Sequence, residues 1–187
     1  MSQYTRIFGV GGHRLRTVVL TSGAGVYTPT TPGNRHLVTL LGGGQNGRPS
    51  TYEGGQAGAM RVFEMVIDRP VSYVVGAAGA DTIFGQAIAR AGWYYSGQDS
   101  TYLRTFANSY YADHDGAIGG KNAAPLGSAF AAAGGALLAE NTTAGGSSLY
   151  GAGGTSAGAA TGYGAGGAAV DPYAAGTGGL IIVEEYT

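Results

Sequence analysis

Apolar and polar residues alternate along several short runs of this chain. Residues 61–68, RVFEMVID, put Phe63, Met65 and Ile67 on one side of an extended backbone and Val62, Glu64 and Val66 on the other. That two-residue period predicts a half-buried strand, and Arg69-Pro70 ends it, because proline brings no N–H to a ladder. Residues 17–21 (TVVLT), 36–41 (HLVTLL), 71–75 (VSYVV) and 180–184 (LIIVE) predict further strands from their β-branched and apolar content, with 82–84 and 87–91 as two shorter candidates. Turn chemistry lies between them, at Ser22-Gly23, Tyr27-Thr28-Pro29, Thr31-Pro32-Gly33-Asn34 and Gly76. The only helix candidate, 130–140, contains Gly134-Gly135, which costs about 2 kcal/mol relative to alanine. The pattern predicts an all-β protein.

Glycine changes this picture. It supplies 37 of 187 residues, and residues 145–179 read GGSSLYGAGGTSAGAATGYGAGGAAVDPYAAGTGG, with thirteen glycines. No three-residue register runs through that stretch, so a collagen helix is excluded. The remaining physical option is close backbone packing. Chains that carry only H or CH3 side groups can approach and bond one another in several directions, offsetting the large entropy cost of ordering glycine. Tyr150, Tyr163 and Tyr173 supply the few large apolar contacts of the stretch.

Charge adds a second constraint. Only 11% of residues are charged, less than half the roughly 25% of an average soluble protein. A surface so poor in charge is expected to be covered in part by copies of itself. The charges are also separated. Arg6, Arg14, Arg16, Arg35 and Arg48 precede the first acid, Glu53, whereas Glu140, Asp171, Glu184 and Glu185 follow the last basic residue, Lys121. Opposite ends are thus expected to attract, within one chain or between chains. Five arginines spread over that length form no basic patch, so no nucleic-acid partner is expected. The chain has no cysteine, which excludes disulfides and thiolate metal sites. No apolar stretch at the start predicts a signal peptide, and the longest weakly polar run, 128–139, is too short to enter a membrane as a span.

Motifs for chemistry are weak. Gly42-x-Gly44-x-x-Gly47 matches the dinucleotide fingerprint letter for letter, but the fingerprint needs a helix next. Pro49, Gly54 and Gly55 follow instead. Asp113-His114-Asp115 has the ligand types of a divalent cation site, yet no second cluster lies nearby in sequence, and an exposed loop is the simpler reading. His13 and His36 have no nucleophile at motif spacing, and no Gly-x-Ser-x-Gly elbow occurs. No catalytic residue, metal or cofactor is expected, and the chain is not read as an enzyme.

Aromatics concentrate elsewhere. Trp93, Tyr94, Tyr95, Tyr102, Phe106, Tyr110 and Tyr111 lie among Gln98, Asp99, Arg104 and Asn108. Aromatic faces beside amides and charges suit the gripping of sugars and loop epitopes. The same residues equally suit a core or a subunit contact that a glycine-rich protein otherwise lacks, and both readings stand.

RTVVLTSGAGVYTPTTPGNRHLVTLLGGGQNG, RVFEMVIDRPVSYVVGAAGADTIFG and GTGGLIIVEEY, in that order, resemble the successive units of glycine-rich domains in tail-fibre and adhesin proteins of tailed bacteriophages. The resemblance covers 16–92 and 145–187, and the chain departs from it at 93–122, where family members carry more glycine. It implies one domain over 1–187, with 93–122 as an aromatic-rich insertion and 145–179 as a Gly/Ala-rich segment. The expected fold is all-β, with short strands, extensive irregular polyglycine-like packing and a trimeric assembly. The implied role is a virion structural protein at a tail-fibre or spike tip, made in the host cytoplasm. Its expected partners are itself, other virion proteins, and a host cell-surface polysaccharide or outer-membrane protein bound non-covalently. The candidate receptor-binding residues are Trp93, Tyr94, Tyr95, Tyr102, Arg104, Tyr110 and Tyr111. The alternative is a purely architectural virion protein without ligand, such as a capsid decoration, head fibre or tail adaptor.

Overall fold

The computed structural model describes residues 12–51, 54–92, 113–114 and 145–187. Among these residues nine strands follow in chain order: β1 Arg14–Leu20, β2 Gly23–Tyr27, β3 Asn34–Leu41, β4 Met60–Ile67, β5 Val71–Val75, β6 Thr82–Phe84, β7 Ala87–Ala89, β8 Asp113–His114 and β9 Leu180–Tyr186. They form two antiparallel sheets, ordered β1-β9-β3-β4-β8 and β2-β5-β6-β7. Among the described residues the all-β expectation holds. Among the described residues no helix is long and apolar enough to cross a membrane.

The inner faces follow the period of two. Val38 and Leu40 of β3, Ile181 and Val183 of β9 and Ile67 of β4 meet Tyr27, Val75, Phe84 and Ala89 of the second sheet in one buried core. Phe63 and Met65 pack against that core, whereas Val66 is exposed, the two-faced arrangement that RVFEMVID predicts. The strand β2 was read from sequence only as turn chemistry. Its second glycine is structural: a Cβ on Gly25 would fall 2.8 Å from Tyr73 Oη, so the bare backbone makes room for the cross-strand tyrosine. Residues 130–140, the helix candidate, lie outside the described residues.

At one end of the sandwich the strands run on into glycine-rich segments. β3 continues into 42–47, β5 into 76–80 and β7 into 90–92, while 54–59 lead into β4 and 174–179 into β9. Segment 42–47 sits among all the others. The amides of Gly42 and Gln45 donate to Ala59 and Gln56, that of Gly43 to Ala80, and those of Gly44 and Gly47 to Thr177 and Ala174. Meanwhile its carbonyls accept from Gly79, Gly92 and Gly167. The same neighbour recurs every third residue, and segments bond to it on more sides than the two available to a strand in a sheet.

Candidate functional site

The glycine segments can approach as a bundle because hydrogen stands where a Cβ would meet a neighbouring backbone. A Cβ on Gly42 would meet the carbonyl of Arg90, on Gly44 that of Ala165 and on Gly47 that of Ala168. The residues that spell the dinucleotide fingerprint thus face backbone carbonyls, and a 3-10 turn at Pro49–Thr51 follows in place of a helix. Residues 145–179 join the same bundle. Gly145 bonds Gly154, Gly154 bonds Gly166, Gly166 bonds Gly146 and Gly167 bonds Gln45, with two isolated bridges and no named helix or strand in the stretch.

All seven candidate receptor residues, Trp93, Tyr94, Tyr95, Tyr102, Arg104, Tyr110 and Tyr111, lie outside the described residues. What the structure does define is how the connection bearing them is held. It departs after Gly92, whose amide donates to Gly43, and it returns at Gly145, whose amide donates to Gly154. Between these points, β8 lies antiparallel to Met60 and Arg61 at the edge of the first sheet. Gly92 and Gly145 are thus bonded within the bundle, and Asp113–His114 lies at a sheet edge. Among the described residues no group of three His, Cys, Asp or Glu could hold a metal ion.

A polar cluster that sequence reasoning missed lies at the opposite end of the sandwich. Glu185 is fully buried. Its carboxylate accepts from the amides of Thr30 and Thr31 at 3.1 Å, from Asn34 Nδ2 at 3.1 Å and from Arg16 Nε at 2.9 Å. Burial alone would raise its pKa. The donated bonds from Thr30, Thr31 and Asn34 outweigh that effect and lower it to about 2. Arg16 also donates to the carbonyl of Thr28 and stands 5.2 Å from the centre of the Tyr27 ring. His36, fully buried, holds Nδ1 2.9 Å from the carbonyl of Asn34 and packs edge-on to Tyr27. Burial lowers its pKa, and burial likewise raises that of Tyr27. Tyr27 Oη and His36 Nε2 are buried without a hydrogen-bond partner.

The signal for this cluster is present in the alternation. Glu185 follows Ile181 and Val183 on the inner side of β9, as His36 precedes Val38 and Leu40 on the inner side of β3. A charged residue at a core-facing position needs several hydrogen-bond partners, and here the turn between β2 and β3 supplies them. The cluster ties that turn to the last strand. It also accounts for part of the charge separation: Arg14 pairs with Glu184 and Arg16 with Glu185, both at 2.9 Å within one chain. These opposite ends attract internally, so their separation no longer argues for contact between chains.

The chain matches no protein-family model and no curated protein.

Proposed function

We propose that this chain is a structural protein of a bacteriophage virion, placed at a tail-fibre or spike tip, which binds a host surface receptor non-covalently. The observation that carries the reading is the tethering of the aromatic-bearing connection. A segment with the single Trp and five Tyr is inserted between Gly92 and Gly145, two residues fixed by backbone bonds at positions where a Cβ would fall 2.0 Å from a backbone carbonyl oxygen. Recognition commonly sits on loops carried by a rigid support. The bundle is such a support, and its three-residue recurrence of neighbours is that of a polyglycine-like helix, with three residues per turn and no internal bonds. The three stretches that resemble phage tail-fibre domains are also the ones that supply β1 to β6, β9 and the centre of the bundle.

The assembly in this reading is a homotrimer. Low charge supports self-association, as do the exposed aliphatic side chains of the two outer sheet faces, Val19 and Val66 on one and Val26, Val74 and Ile88 on the other.

The test is to replace Trp93, Tyr95, Tyr102 and Tyr110 by alanine one at a time and to measure adsorption to host cells of variants that still fold. An aromatic side chain buried at a binding surface contributes about 2–4 kcal/mol, so the expected loss is about 30-fold or more for one or two of them. If every folded variant adsorbs like the parent, the connection is architectural and the role is that of a virion component without ligand.

A further inference from the structure

We infer that the buried cluster around Glu185 is an acid-released latch, with His36 as the group that opens it. His36 Nδ1 lies 2.9 Å from a carbonyl oxygen, which can only accept, so Nδ1 carries the proton and neutral Nε2 presents a lone pair. That lone pair is buried, without a partner, 3.9 Å from Glu185 Oε1. A proton added there would create a second cation in a pocket whose charge is already balanced.

The groups facing His36 explain why the added charge is poorly compensated: burial is the largest effect, the attraction of Glu185 opposes it and the repulsion of Arg16 adds to it. Arg16 of β1 already neutralises Glu185 of β9. Glu185 accepts further from Thr30, Thr31 and Asn34, so both of its oxygens are occupied. Tyr27 of β2 meets the imidazole edge-on, and the β4 residue paired with His36 is Met65, which does not titrate. The carboxylate that a charged His36 would face is engaged elsewhere and lies 3.9 Å away, too far for a hydrogen bond. Protonation is therefore satisfied by opening the cluster, which frees the turn at 28–34 and the end of β9. That end also carries both limits of the sandwich, since Thr187 and His13 bond one another there.

The sign follows from linkage. The folded pKa of His36 lies below its ordinary value of 6.5, so its contribution to stability is complete above that pH. It is lost as the pH falls towards the folded pKa. Glu185, with a folded pKa of about 2, stays charged throughout this window. The latch thus responds in mild acid, before any carboxylate of the cluster protonates.

Two measurements on the whole protein test it. In the wild type, the imidazole resonance of His36 is followed by NMR from pH 8 downwards. Amide exchange of Thr30 and Thr31, corrected for intrinsic rates, is measured from about pH 7.5 to 5 in the wild type, in His36→Phe and in His36→Gln. The imidazole is expected to stay neutral below its ordinary titration point. The opening constant of the two amides should rise by up to about tenfold per pH unit in wild type and stay level in both variants. Titration of folded His36 at or above its ordinary value would overturn the inference, since the residue would then form a stable ion pair with Glu185. An equal rise in the variants would overturn it as well. If both variants fail to fold, the wild-type titration alone still decides.

Discussion

Replacing Gly44 by alanine tests the bundle at its centre. A Cβ at this position would lie 2.0 Å from the carbonyl oxygen and 2.2 Å from the carbonyl carbon of Ala165. Ordinary contact begins near 3.4 Å, so the two segments must part by about 1.4 Å. The bond from Gly44 to Thr177 is 2.9 Å, that from Gly79 to Gly44 is 2.9 Å and that from Thr177 to Ala165 is 2.8 Å, and such a displacement breaks or strains all three. At about 1 kcal/mol for each bond and about 1–3 kcal/mol for overpacking, the loss comes to about 4–6 kcal/mol. That is a large share of the roughly 5–15 kcal/mol that holds a typical domain folded. Two controls separate space from conformation. Gly158 has nothing within 4 Å and no left-handed φ, so Gly158→Ala should be neutral or stabilising by up to about 1 kcal/mol, through the unfolded chain. Gly33 also has open space but a φ of +87°, so Gly33→Ala should cost about 1 kcal/mol or more in backbone strain. Urea unfolding followed by circular dichroism ranks the three. A Gly44→Ala midpoint within about 1 kcal/mol of the parent would refute the packing account, as would equal losses at Gly44 and Gly158.

Glu185→Gln should cost about 3 kcal/mol at neutral pH, the equivalent of lowering a carboxyl from 4.5 to about 2. The wild type should lose this stability as the pH falls from about 4.5 towards 2, and acid titration of the unfolding midpoint should show that step missing from the variant. Sedimentation equilibrium should give the mass of three chains, each of 18.7 kDa; a mass near one chain would remove the trimer from the proposed function while leaving the fold untouched.

How far the sequence speaks depends on whether side chains or backbone carry the structure. β4 was legible because Phe63, Met65 and Ile67 mark one face by their bulk, and β9 because LIIVE is a near-continuous buried run. The strand β2 was not, since Gly23, Ala24 and Gly25 have low strand preference and are ordered by their pairing with Val75, Val74 and Tyr73. Glu185 and His36 were overlooked although both occupy core-facing positions of alternating strands. Nothing in sequence shows that the amides of Thr30 and Thr31, more than one hundred and fifty residues away, will reach a carboxylate. The segment bearing Trp93 to Tyr111 was legible as chemistry but not as shape, and it lies outside the described residues.

The glycine bundle marks the limit most sharply. Gly42-x-Gly44-x-x-Gly47 carries the letters of a phosphate-binding turn, and those letters state only that something must approach the backbone closely. In a nucleotide site the approaching group is a pyrophosphate held at a helix N-terminus. Here it is the carbonyls of Arg90, Ala165 and Ala168, from segments that the chain brings back after many intervening residues. A glycine records the demand for space and leaves open what fills it. The fold answers that question by bonding 42–47 to five other segments, so that its closest approaches are already occupied by the protein's own backbone.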